Sequence, residues 1–297
     1  MTQALIGILG GSGLYEMDAL QNAREHLVST PFGAPSDVLV TGQVHGQSVV
    51  FLARHARGHR LLPSEVPYRA NIYAMKQLGV RYLLSVSAVG SLREEFKPLD
   101  LVLPDQFIDL TRQRASTFFG QGAVAHVSMA QPVCAATGRV VARAVDTVLA
   151  ADAERVGASN PGITLHTSAT YVCIEGPQFS SLAESMWYRS MGAGVIGMTN
   201  MPEAKLAREA QMAYTTLAMV TDYDCWHPRE AHVNADMAMA NLMQNAGRAQ
   251  RVVAQAIRLL GAEQPASAAH TALQNALVTQ PEAMAPDVLE RLAALLK

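Results

Sequence analysis

The sequence has little of what usually marks a functional class. Of its 297 residues, three are cysteine, Cys134, Cys173 and Cys225. The number is odd and no C-x-x-C spacing occurs, which excludes a disulfide framework and a zinc knuckle and fits a reducing cytoplasm. Charged residues are scarce at 16%, and the formal net charge is −2. There is thus no basic field to gather a polyanion, and nucleic acid and anionic membrane are excluded as main partners. No run reaches membrane-spanning length, and Met1 leads straight into apolar Leu5 to Leu9 without a basic segment or cleavage site. No Pro/Gly/Ser-rich linker or charge run divides the interior. These absences predict one soluble, cytoplasmic domain over residues 1–260. The tail, 261–297, is rich in Ala, Gln, Pro and Thr to residue 284 and then patterned as a last amphipathic helix over Pro286 to Leu296. It is expected to be loosely ordered and to pack on a neighbour.

What is abundant is apolar material, 49% of the chain. Short Val/Ile/Leu runs at Leu5–Leu9, Val38–Thr41, Val49–Ala53, Tyr82–Val86, Ala169–Ile174, Val195–Met198 and Thr216–Val220 have the length and bounding residues of buried strands. Helical periodicity falls between them, over Glu65–Leu78 with Ser64 as its cap, Thr137–Ala150, Ser181–Ser190, Glu203–Met212 and Ala235–Leu260. Strands alternating with helices predict an α/β fold.

Nearly every strand ends in reactive residues, and in such folds the strand ends hold the site. The first delivers Gly10-Gly11-Ser12-Gly13, the third Arg54-His55, the fourth Ser87-Ala88. Later strands end in Glu175-Gly176-Pro177, Met198-Thr199 and Thr221-Asp222-Tyr223-Asp224. The glycine loop is not a full dinucleotide fingerprint, because Glu16 stands where the third glycine belongs. It is either a tight turn or a cradle whose N–H groups face an anion. Arg54 and His55 are either surface cations or an anion site, arginine offering a planar fork suited to phosphate. His55 and His59 have no further ligands at metal spacing, so no metal is expected. Asp222 and Asp224, one residue apart, are either a solvated turn or a carboxylate pair in which one member holds a proton. Glu175 poses the same choice, and Cys173 in its strand packs as a small hydrophobe or serves as a nucleophile.

Several longer motifs occur together and in order: Gly7-Ile-Leu-Gly-Gly-Ser-Gly-Leu14, Thr30-Pro-Phe-Gly-x-Pro-Ser-Asp37, Ala53-Arg-His-x-Arg-x-His59, Gly90-Ser-Leu-Arg-Glu-Glu95, Asp105-Gln-Phe-Ile-Asp109, Ile174-Glu-Gly-Pro-x-Phe-Ser-Ser181 and Thr221-Asp-Tyr-Asp-Cys-Trp226. Over residues 5 to 260 the chain resembles the methylthioadenosine phosphorylase family of purine nucleoside phosphorylases. The resemblance implies a single-domain nucleoside phosphorylase fold, a mixed central β-sheet or distorted barrel flanked by helices, assembled as a homotrimer. It also implies phosphate binding by Gly10, Ser12, Arg54, His55, Ser87, Ala88 and Thr199. Nucleoside binding falls to Phe179, Ser180, Met198, Asp222, Asp224 and Val233, with His126 offered to a neighbouring subunit. The chain departs from the pattern at Gly197, where an asparagine is common, at Ala235, smaller than the usual valine, and in an inserted segment, 151–161. His227 and His232 lie close in sequence to this 5' region.

The implied reaction is phosphorolysis of 5'-deoxy-5'-methylthioadenosine to adenine and 5-methylthioribose 1-phosphate, with inorganic phosphate as co-substrate and no metal or organic cofactor. Asp222 and Asp224 are the implied catalytic pair, Asp222 as the proton donor at N7. The alternative is a phosphorylase of 6-oxopurine nucleosides (methylthioinosine, inosine or guanosine). Two carboxylates favour a 6-amino group, which donates to them, over a 6-oxygen, which repels them. A non-enzymatic nucleotide-binding module would need the glycine loop without Arg54, His55 and Asp222 at separate strand ends.

Overall fold

The computed structural model describes residues 5–11, 17, 19–156, 162–230 and 233–297. Ser12, Glu16, His232 and residues 157–161 of the inserted segment lie outside the described residues. Four strands form the centre: β1 (Ile6–Gly10), β4 (Gln47–Ala53), β5 (Tyr82–Ser91) and β11 (Ala213–Asp222). All run parallel, in the spatial order β4-β1-β5-β11. Their side chains alternate between two apolar layers, as a period of two requires. Ile6 and Ile8, Val49 and Phe51, Leu84 and Val86 enter one layer, completed by α2 (Ala135–Val156) and α5 (Ala235–Glu263). Leu9, Val50 and Leu52, Leu83 and Val89 enter the other, with α1 (Tyr68–Gln77) and α4 (Asn200–Glu209). Helices cover both faces, which is why these strands read as continuous apolar runs.

Among the described residues, the remaining strands extend this centre into a mixed 11-stranded sheet. The hairpin β2 (Gln21–His26) and β3 (Leu39–Val44) adds antiparallel strands beyond β4. On the other side lie β10 (Val195–Gly197), β9 (Thr170–Cys173) and β7 (Gln106–Asp109), while the short β6 (Leu101–Val102) and β8 (Leu165–His166) continue from β11. Among the described residues the other α-helices are α3 (Leu182–Ser190) and α6 (Pro286–Leu292), with short 3-10 turns at Ala268–Thr271 and Pro281–Ala283 in the tail.

Strand β5 changes neighbours along its length, and this makes the site. Its first half pairs with β1 as far as Ser85, and from Gly90 it pairs with antiparallel β10. Between those points, residues 86–89 have a strand partner only on the β11 side. A crevice opens where the sheet changes hands, the place where α/β folds bind ligands.

The structure departs from the sequence-based expectation at α1, at α5 and in the tail. Helix α1 begins at Tyr68 and is not capped by Ser64, because Pro67 intervenes and holds the residue before it out of helical geometry. Helix α5 continues to Glu263, three residues past the expected end. The tail packs on its own chain: Leu273, Met284, Val288, Leu292 and Leu295 join the layer around α1 and α4. By contrast, Ser181 caps α3 through a reciprocal box with Glu184, as the pattern at that helix start allows.

Candidate active site

The crevice is a cavity of about 290 Å³ walled by Val86 to Gly90 of β5, by the ends of the flanking strands, and by the first turns of α5. It brings together residues far apart in sequence: Arg54, His55, Ser87, Ala88, Phe179, Ser180, Met198, Thr199, Asp222 and Asp224 all line it. Gly11 lines it beside the first strand, while Gly10 sits within β1 and its carbonyl accepts from the Arg54 N–H. Val233 does not line it, but its N–H donates to the Asp224 carbonyl at 2.9 Å. His126 is exposed on a segment bonded to Ala276 of the tail, away from this chain's own cavity.

At one end stand hydroxyls and a buried cation. Because β10 runs antiparallel to β5, its continuation carries Thr199 back toward Ser87, and the two hydroxyl oxygens lie 3.4 Å apart. Arg54 is 1% exposed, and its fork is directed mainly inward. Nε and Nη2 donate to the Glu203 carboxylate at 2.7 and 3.2 Å, Nη2 also to Ser85 Oγ at 2.6 Å, and Nη1 to the Val86 carbonyl at 3.1 Å. Burial opposes the charge, but Glu203 more than offsets it and raises the guanidinium above its ordinary pKa. The paired fork that the sequence suggested for an anion is therefore committed to Glu203. What remains for a ligand is Arg54's charge and the outer N–H of Nη1.

His55 is held by Nδ1, 2.9 Å from the Leu61 carbonyl, and its ring stacks on His59 at 4.3 Å. A carbonyl only accepts, so Nδ1 carries the proton. Burial, with the nearby Arg54 charge, lowers the imidazole from 6.5 to about 4. The ring is neutral at physiological pH, and its Nε2 presents a lone pair. No group of three or more metal-ligating side chains occurs among the described residues.

At the other end are the two aspartates. A register shift between Val220 and Asp222 marks a bulge at Thr221, and bulges re-aim side chains next to sites. The bulge turns Asp222 over Gly90, where a Cβ would stand 2.9 Å from Asp222 Oδ1. Asp222 accepts from Thr221 Oγ at 2.6 Å and from the Asp224 N–H at 2.8 Å. Asp224 follows with φ +52, and its Oδ2 has no hydrogen-bond partner. Burial raises both carboxyls above their ordinary pKa, against the bonds they accept, and Asp224 adds repulsion at Asp222. The solvated-turn alternative for this pair fails, since they are 5% and 3% exposed.

Glu175 resolves the other way. Its carboxylate accepts from the backbone N–H groups of Arg112 and Gln113 and from Arg114 Nε at 2.9 Å, and these bonds overcome burial and hold it below its ordinary pKa. It is a structural anion and not a proton donor. Cys173 is fully buried, and burial pushes its thiol up to about 12, leaving no thiolate for nucleophilic work.

Two groups escaped the sequence. Glu203 looked like an acidic residue at a helix start, with nothing to connect it to Arg54. Arg114 lies in an irregular segment, yet its Nη1 donates to the carbonyls of Met198 and Met201 at 2.6 and 2.7 Å, and Nη2 to that of Glu175 at 2.8 Å. It ties the two loops that carry the cavity floor. The third wall, Ala235, Ala238, Met239 and Leu242 of α5, is entirely apolar.

A sequence profile of the Phosphorylase superfamily matches residues 5–258. The S-methyl-5'-thioadenosine phosphorylase of Synechocystis sp. (strain PCC 6803 / GT-S) is 55% identical over 296 residues, covering 100% of this chain and 88% of the relative. The fold matches a methylthioadenosine phosphorylase sourced from an antarctic soil metagenomic library with a TM-score of 0.93 at 60% identity, covering 100% of both chains. It also matches methylthioadenosine phosphorylase from Schistosoma mansoni in complex with adenine, with a TM-score of 0.81 at 36% identity over 88% of this chain and 93% of that one. With the profile spanning most of its length and relatives this similar from end to end, the chain belongs to the Phosphorylase superfamily and, within it, to the S-methyl-5'-thioadenosine phosphorylases.

Proposed function

We propose that the chain uses inorganic phosphate to split 5'-deoxy-5'-methylthioadenosine into adenine and 5-methylthioribose 1-phosphate. The observation that carries this reading is the division of one cavity into three chemistries. Hydroxyls, a neutral histidine and a buried cation stand at one end, two carboxyls with raised pKa at the other, and an apolar wall beside them. Phosphate fits the first end, where Ser87 and Thr199 donate, Arg54 supplies charge, and His55 Nε2 accepts from a protonated phosphate oxygen. Met198 lies below the sugar. The purine fits the second end, where a protonated Asp222 donates to N7 as the glycosidic bond breaks and the 6-amino group donates to a carboxylate. The α5 wall offers no hydrogen-bond partner for a 5'-hydroxyl and suits a methylthio group. Relatives named for this substrate support the same reading. No metal or organic cofactor has a part in it.

The test is release of the free base, adenine from methylthioadenosine and adenosine and hypoxanthine from methylthioinosine and inosine, each with and without phosphate and with chelator. Turnover is expected only with phosphate, indifferent to chelator, and fastest on methylthioadenosine. Equal turnover in phosphate-free buffer would make the enzyme a hydrolase. The proposed assembly is a homotrimer in which exposed His126 reaches a neighbour's site. Light scattering that finds an active monomer at assay concentration would overturn it.

A further inference from the structure

Tyr171 of β9 is fully buried, with its ring against Phe107 at 5.6 Å. A tyrosine this deep usually has a partner for its hydroxyl. Here Oη has none in full hydrogen-bond geometry. Burial raises the phenol above its ordinary pKa, while the Ser87 side chain and the Thr199 N–H act in the opposite sense, which places both beside Oη. The orphaned hydroxyl thus lies beside the two residues proposed to receive phosphate.

Gly197 makes the space for it. A Cβ there would stand 1.9 Å from Tyr171 Oη and 2.6 Å from Cζ. Gly197 is not among the positive-φ glycines, so its backbone conformation does not demand glycine; the phenol does. Ser87 meanwhile has one proton and two competing acceptors, the Ala88 carbonyl at 3.2 Å and Thr199 Oγ at 3.4 Å. Either contact would turn that proton away from a ligand.

We propose that Tyr171 is a positioning residue for the anion: Thr199 N–H donates to Oη, the phenol donates to Ser87 Oγ, and Ser87 turns its own proton into the cavity toward a phosphate oxygen. Each bond in such a chain polarises the next, and contacts of this kind are often loose before the ligand arrives. No covalent bond forms or breaks. Tyr171 touches no substrate, and its effect is confined to the phosphate end.

The inference rests on the reading that this site takes phosphate, and the experiment separates the two. Tyr171→Phe removes one oxygen and keeps the ring. It is expected to raise the KM for phosphate about five- to tenfold, while the KM for methylthioadenosine and kcat at saturating phosphate stay within about twofold. The rise in thermal midpoint produced by inorganic phosphate alone should shrink to match. In a Ser87→Ala background the same substitution should add nothing further. Gly197→Ala should raise the phosphate KM in the native background, and combining it with Tyr171→Val should remove the clash without restoring phosphate affinity. An unchanged phosphate KM in a folded Tyr171→Phe variant, an equal rise in both KM values, or additivity with Ser87→Ala overturns the inference alone. A wild-type enzyme indifferent to phosphate overturns it together with the function on which it rests.

Discussion

The two ends of the cavity treat buried charge in opposite ways. At the Arg54 end the cation is matched before any ligand arrives, with Glu203 facing it and Tyr214 Oη supporting Glu203 at 2.8 Å. At the aspartate end the polar atoms are left wanting. Asp224 Oδ2, Ser180 Oγ and Ser185 Oγ lack partners in full geometry, although both hydroxyls lie close enough to Asp224 to temper its raised pKa. A buried polar group without a partner costs stability, and a ligand that supplies the partner recovers it. The cation at the first end is thus paired in advance, whereas the second leaves its carboxylate bonds for a base.

The difference between the two ends is largest at Glu203. Glu203→Ala leaves a buried guanidinium unpaired and is expected to cost about 3–5 kcal/mol, lowering the thermal midpoint by roughly 5–15 °C. Calorimetry showing a wild-type midpoint would mean that the Arg54 end is not held by this pair. His55 gives the next effect, through pH. Its folded-state pKa of about 4 lies below the ordinary 6.5, so between those values the unfolded chain takes a proton that the folded chain refuses. Stability therefore falls as pH drops through that window, by on the order of 3 kcal/mol if the full shift is expressed. Urea titrations at about pH 7 and about pH 4.5 should show a smaller loss in His55→Gln than in the wild type; equal losses would deny the buried neutral imidazole.

At the aspartate end the test is Asp222→Asn. It is expected to cost methylthioadenosine about 1–3 kcal/mol in transition-state binding, one to two decades in kcat/KM, and to move preference toward methylthioinosine, whose O6 an amide can face as donor. The same variant should be more stable than wild type near neutral pH. A carboxyl with a raised folded-state pKa stabilises the fold below its ordinary pKa and loses that contribution as pH rises through the folded value. Both are read from one preparation, and an unchanged substrate ratio removes Asp222 from base recognition. Asp224→Asn should give the smallest effect of the set, since the N7 proton is assigned to Asp222 alone; a larger drop in kcat/KM than that of Asp222→Asn would reverse the two roles.

How far the sequence disclosed this arrangement depended on the distance over which each signal acts. Arg54 and Asp222 were legible because each follows an apolar run, so the strand and its reactive end lie in one short window. Glu203 was not, because its partner is 149 residues away and its own neighbourhood spells an ordinary helix start. Arg114 was hidden for the same reason, between β7 and α2 with no periodic pattern around it. The edge strand β2 is exposed along almost its whole length, and its sequence, Gln-Asn-Ala-Arg-Glu-His, has no apolar face to betray it. The bulge at Thr221 is a property of register, which alternation alone does not encode. Even the loss of an expected side chain at Gly197 acquired meaning only when the phenol of Tyr171 was found in its place.

The stretch of β5 paired on one side only has a consequence for descent. A crevice founded on main chain is inherited through the alignment of β1 and β10 on their shared strand, not through the identity of every lining residue. Ala88, which contributes no functional group of its own, can drift among small residues while the peptide groups beside it keep their place. A shift of one residue between β1 and β5 would instead move the edge of the opening and turn the strand's side chains to the opposite layers, erasing the site in a single step.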